Sequence, residues 1–158
     1  MKREEVGEFM DAVVNAPARA SEMLRTNPAL LDARWIHDET VLHFLSIEKY
    51  TEGVRFLIGA GAQVDATNEF GDTALVDVAR LGNTTIAKLL IEAGANPNAS
   101  SSAGDNMLHQ AVFSGNAELA ELLIGAGART DELKLLLAEL GYVDDRLDAL
   151  FTRLGIAR

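Results

Sequence analysis

Leu42, Leu75 and Leu108 stand 33 residues apart, and the same interval separates Leu57, Leu90 and Leu123. Ile58, Ile91 and Ile124 keep it, as do Gly61-Ala62, Gly94-Ala95 and Gly127-Ala128. Gly71 and Gly104 match at this offset, and so do Gly82 and Gly115. Residues 68–100 and 101–133 are identical at 12 of 33 aligned positions, too many for coincidence. A period of this length is one supersecondary unit. Such a unit cannot bury its apolar face alone, so it must stack on copies of itself.

The residues inside each copy say what the unit is. Thr40, Thr73 and Asn106 carry side-chain oxygens able to cap the first turn of a helix. Leu75 and Leu108 then face inward, followed by the small residues Val78-Ala79 and Ala111-Val112, which let helices approach closely. Gly82 and Gly115 suit the left-handed position just beyond a helix end. A second helix follows, with Ile86, Leu89 and Leu90, or Leu119, Leu122 and Leu123, at i, i+3 and i+4 on one face. Gly94 and Gly127 close it. Asn96-Pro97-Asn98 and the stretch to Gly104 are rich in turn formers and predict an extended loop to the next copy.

This helix–turn–helix–hairpin unit resembles the ankyrin repeat. The resemblance is carried by Glu39-Thr40-Val41-Leu42-His43, Gly71-Asp72-Thr73-Ala74-Leu75 and Gly104-Asp105-Asn106-Met107-Leu108-His109. Each is followed by a Leu/Ile-rich helix ending Ala-Gly-Ala. It implies an all-α solenoid forming one domain over residues 1–158. Residues 5–34 would be an N-terminal cap with Phe9, Met10 and Val13 inward, and 35–67, 68–100 and 101–133 the full repeats. Residues 134–158 would be closing helices whose Glu139, Asp144, Asp145 and Asp148 shield the last apolar face.

The chain also departs from the family pattern. The proline usually found after the capping threonine is replaced by Val41, Ala74 and Met107, which removes a pre-set first turn. Lys49 stands where glycine belongs, at a cost of about 1 kcal/mol if its backbone is left-handed. Gly53 lies within the second helix of its copy, where Ile86 and Leu119 sit in the others, and forfeits propensity and burial. The 35–67 copy is therefore expected to be the least stable.

Charge narrows the partners. The 158 residues hold 24 acidic against 14 basic side chains, a net charge of −10. Nucleic-acid affinity rests on lysine and arginine displacing counterions, so such a chain is not expected to bind it. A basic face of another protein is the better match. With no cysteine, disulfides and thiolate metal sites are excluded. Met1-Lys2-Arg3 runs straight into Glu4 and Glu5 without the apolar core of a signal peptide. No apolar run nears the roughly 18 residues that span a bilayer, so a cytoplasmic location is expected.

The segments that mimic chemistry are explained by the repeat. Gly59-Ala60-Gly61 and Gly125-Ala126-Gly127 suggest a dinucleotide fingerprint, but Val64 and Thr130 hold the place of its third glycine. His43 and His109 occupy one repeat position, where the resemblance implies a hydrogen bond to the neighbouring hairpin. Sites so repeated point the same way without converging. His37 reads as an exposed hairpin residue. Glu4-Glu5 and Asp144-Asp145 are sequence neighbours and diverge by about 100° on a helix. Ser100, Ser101 and Ser102 lack the Gly-x-Ser-x-Gly context of a nucleophile elbow. No enzyme, metal site, cofactor or small-molecule substrate is expected.

In the family, hairpin tips and the exposed side of each first helix line a concave groove. Carried over, the tips are Arg34 to His37 with Glu39, then Thr67 to Phe70 with Asp72, then Ser100 to Ala103 with Asp105. The exposed first-helix positions are Phe44, Ile47 and Glu48, then Asp77, Arg80 and Leu81, then Gln110, Phe113 and Ser114. The partner-binding set expected here is Arg34, Trp35, Phe44, Ile47, Phe70, Asp72, Asp77, Arg80, Leu81 and Phe113. Aromatics and arginine are the usual anchors of interfaces. Arg34 and Arg80 would be rim charges in an otherwise acidic groove. For Trp35 and Phe44 an alternative stands equally: Trp35 and Ile36 fold back onto the cap, and Phe44 packs across to Phe70. The function implied is an adaptor or scaffold that binds a protein through this face, as a monomer unless the apolar C-terminal helix (Leu147, Leu150, Phe151, Leu154) pairs chains. The second reading is an inhibitory, immunity-like partner of one enzyme.

Overall fold

The computed structural model describes residues 2–100, 104, 106–131, 133 and 145–153. The chain opens with α1 (Arg3–Asn15) and α2 (Pro17–Thr26). Three helix pairs follow: α3 (Val41–Ile47) with α4 (Thr51–Gly59), α5 (Ala74–Arg80) with α6 (Thr84–Glu92), and α7 (Met107–Phe113) with α8 (Ala117–Gly125). The last described helix, α9 (Asp145–Arg153), packs on α8. First helices pack on first helices (α3 on α5 on α7) and second on second (α4 on α6 on α8). That is an all-α solenoid.

The periodic leucines build its spine. Leu42, Leu75 and Leu108 are buried on the first helices, and Leu57, Leu90 and Leu123 on the second, within one continuous apolar core. Phe9, Met10 and Val13 of α1 join that core and close its N-terminal end. At the other end Leu133 and Phe151 are buried, so Phe151 belongs to the core and is withdrawn from pairing chains. The side chains of Leu147, Leu150 and Leu154, and the caps expected at Glu139 and Asp144, lie outside the described residues.

The start signals are realised atom by atom. Thr40 Oγ1 accepts from the His43 amide, Thr73 Oγ1 from that of Val76, and Asn106 Oδ1 from those of Leu108 and His109. Asn83 and Asn116 cap α6 and α8 in the same way, each accepting from the amide three residues on. Their counterpart Tyr50 makes no side-chain cap on α4. Each hairpin closes through one isolated bridge: Arg34 with Thr40, Thr67 with Thr73, Ser100 with Asn106.

The first full copy is the irregular one. Asp38 and Lys49, at the places of Gly71 and Gly82, have φ of 57° and 64°, as glycine would. His37 joins them at 56°. Lys49→Gly is expected to stabilise the chain by about 1 kcal/mol, since the exposed lysine loses no contact and the left-handed strain is relieved; the midpoint of urea unfolding measures it. Gly53 corrects the reading of its helix. It is buried, and a Cβ placed on it would come within 2.8 Å of Leu45 Cδ1. The side chain of Leu45 fills the space that Ile86 and Leu119 fill from the helix in other copies, so burial is exchanged rather than forfeited.

Candidate functional site

The face that carries the hairpin tips and the first helices is built on ties between successive hairpins. Arg34 Nη1 donates to Asp38 O at 2.8 Å and to Thr67 O, one repeat on, at 2.7 Å. The Glu69 amide donates to His37 O at 3.0 Å. His43 is buried: its Nδ1 accepts from the Thr40 amide, which leaves the proton on Nε2 to donate to Asp72 O at 3.0 Å. Burial holds this imidazole below its usual range and so keeps it neutral; the bond to Asp72 opposes that shift. His43 is the tie to the neighbouring hairpin that the sequence resemblance implies.

Asn68 shapes the second tip. Its Oδ1 accepts from the amides of Phe70 and Asp72 at 2.9 and 3.0 Å, which turns the Phe70 side chain out at the apex. Phe70 is 49% exposed, and its ring lies 5.5 Å from that of His37 at 42°. His37 in turn pairs with Glu69. Leu81 at the end of α5 and Phe113 at the end of α7 are 52% and 56% exposed. Among the described residues, these three and Ile36 are the large apolar side chains that the repeat scaffold leaves in water on this face. None of the four belongs to the buried core.

Several expected site residues sit elsewhere. Trp35 is half-buried against the core, its Cη2 3.6 Å from where a Cβ on Gly7 of α1 would lie, so the ring folds back onto the cap. Phe44 is likewise half-buried against the core, and Ile47 is half-buried at the end of α3. Arg34 is engaged by two backbone carbonyls and serves the hairpins. Asp72 and Asp77 are the largest departure: they are only 5% and 8% exposed. Both are held by Arg80, which donates to Asp72 Oδ2 from Nη1 and Nη2 at 3.0 Å and to Asp77 Oδ1 at 3.3 Å. The Asp77–Arg80 spacing of i, i+3 was the one trace of this cluster in the sequence. Burial, and then the Asp72 charge, push the Asp77 carboxyl up to about 6, against the pull of Arg80. Glu39 is also raised, first by burial, with His37 opposing and Glu69 reinforcing.

Among the described residues no three His, Asp or Glu side chains converge to hold a metal ion, and no helix is long and apolar enough to cross a membrane. A family model described as ankyrin repeats, in three copies, matches residues 30–139, more than half of the chain. The chain belongs to the ankyrin-repeat family. Repeats of this kind are in general protein–protein interaction modules. No curated protein matches the chain.

Proposed function

We propose that the protein is a cytoplasmic, monomeric adaptor or scaffold that binds one partner protein through the hairpin and first-helix face, without catalysis or cofactor. The observation that carries this reading is the row of Phe70, Leu81 and Phe113, each about half in solvent. Phe70, Leu81 and Phe113 lie outside the continuous apolar core, so the core does not call for large apolar side chains at these positions. Ile36 extends the apolar row towards the first hairpin. Arg80, paired with Asp72 and Asp77, supplies polar surround for an interface.

The test is affinity capture from the native lysate with wild-type protein and with the triple variant Phe70→Ala, Leu81→Ala, Phe113→Ala. Each substitution is at the surface and should shift stability by no more than about 0.5 kcal/mol. The variant is expected to keep the helical spectrum and the melting point while losing the captured protein. Retention of the partner would place its contact elsewhere.

The inhibitory reading gains support from the net charge of −10, which could imitate an acidic substrate. Salt separates the two. An interface held by charge weakens steeply as ionic strength rises, and one held by the apolar row does not.

A further inference from the structure

The first two hairpins hold more carboxylates than cations. Residues 34–40 and 67–73 contain Asp38, Glu39, Glu69 and Asp72 against Arg34 and His37. Both basic groups are already engaged. Arg34 donates to Asp38 O and Thr67 O and lies 3.8 Å from Asp38 Oδ2, and His37 pairs with Glu69. Asp72 is held by Arg80 of α5. Glu39 is the carboxylate that remains. Among the described residues no hydrogen bond or ion pair reaches its side chain. It is half-buried, yet its oxygens meet solvent, whereas Asp72 Oδ1 and Asp77 Oδ2 do not.

Its neighbours place Glu39 where the two tips meet. The Glu39 amide donates to Ile36 O at 3.1 Å, so residues 36–39 form one tight turn. Inside that turn the ring of His37 lies 5.5 Å from the ring of Phe70 on the next hairpin. The Glu39 carboxyl feels the charges of His37 and Glu69 and acts in turn on Asp77 of α5. Ile36 and Phe70, 44% and 49% exposed, stand on either side, one on each tip. Burial is the first cause of the rise in the Glu39 carboxyl, and Glu69 adds to it. Water withdrawn from a carboxylate without a cation in exchange disfavours its charged form. A positive group arriving here makes good that loss. An anion meets Asp38, Glu39 and Glu69 together, and a wholly apolar visitor covers Glu39 without offering a donor.

We infer that the partner docks a basic side chain on the Glu39 carboxylate, with the apolar residues beside it on Ile36 and Phe70. This deepens the reading of the face as a protein-binding surface and rests on it. The seat needs no rearrangement, because Arg34, His37 and Arg80 keep the partners they have. The net charge of −10 draws a basic segment towards the molecule at long range and opposes a second copy of this chain as the occupant.

The experiment titrates the full ¹⁵N-labelled chain with three synthetic peptides: N-acetyl-Ala-Leu-Arg-Leu-Ala-amide, the same peptide with citrulline for arginine, and the same with glutamate. Citrulline keeps the length and shape of arginine and loses the charge. Amide shifts are expected over residues 34–40 and 67–73, with the arginine peptide binding about fivefold tighter than the citrulline one. Glu39→Gln should bring the two within about twofold of each other. Glu52→Gln, which removes an equal charge from an exposed position on α4, should leave the preference intact. Equal losses in the two variants would mean that overall charge alone selects the peptide, and the seat on Glu39 falls. Equal binding of the arginine and citrulline peptides at these hairpins overturns the inference and leaves the apolar face standing. Tighter binding of the glutamate peptide, or no binding of any peptide up to millimolar concentration, overturns it as well. So does a dimer of the free chain, seen by sedimentation, that Phe70→Ala abolishes, since a second copy would then own the face. Shifts confined to α4, α6 and α8 sink both the inference and the reading of the face.

Discussion

Leu75→Ala is expected to lower the stability of the chain by about 2–5 kcal/mol. Leu75 is fully buried on α5, the first helix of the middle repeat, which packs against α3 on one side and α7 on the other. Truncation leaves a cavity at a position where both neighbouring repeats lean on the same side chain. Domains of this size hold only about 5–15 kcal/mol in total, so the loss is a large share of it. It should appear as a fall in melting temperature of roughly 5–20 °C, at about 2–4 °C per kcal/mol. Leu81→Ala, six residues further on but half in solvent, should move the midpoint by no more than about 0.5 kcal/mol. If the two variants melt together, periodic burial is not what holds the stack.

That contrast shows how much of the molecule was legible in the chain. Leu42, Leu75 and Leu108 recur because one packing environment recurs, and a repeated environment leaves its trace in sequence at a fixed interval. The capping residues Thr40, Thr73 and Asn106 and the left-handed glycines are local devices, readable without knowing the fold. The departures share one property, that they depend on a neighbour in space. Gly53 looked like a loss until Leu45 proved to occupy the space beside it. Trp35 reads equally as groove or cap in the sequence, because its partner, the surface over Gly7, lies on a helix that begins more than twenty residues earlier. Asp77 occupies the repeat position of Phe44 and Gln110, which says exposed or half-exposed by analogy. Its burial follows from Asp72 and Arg80, and their other-copy counterparts Glu39 and Ile47 form no such cluster. Periodicity reports what the copies have in common. What is particular to this chain sits where they differ.

The same cluster makes the second large effect one of pH. An isolated aspartate titrates near 3.8, and Asp77 in the fold is pushed up to about 6, by burial first and by Asp72 second. The folded chain therefore holds this proton more tightly than the unfolded one. The contribution to stability is fully present below pH 3.8 and is lost as pH rises through 6. The rise from 3.8 to about 6 corresponds to at most about 3 kcal/mol surrendered by neutral pH. Asp77→Asn keeps an oxygen for the 3.3 Å bond from Arg80 and removes the charge. At pH 7.5 this variant should be more stable than wild type by about 1–2 kcal/mol, the rest of the shift being offset by the weaker bond to a neutral amide. At pH 4 the advantage should vanish. His43 works in the opposite direction: burial lowers its value, so its contribution is intact above 6.5 and falls away on acidification. Because His43 is common to both proteins, it cancels when the two stabilities are subtracted at each pH. Urea unfolding of the pair across pH 4 to 7.5 isolates Asp77. A difference that stays flat over that range would mean that the carboxylate is not strained by its burial beside Asp72.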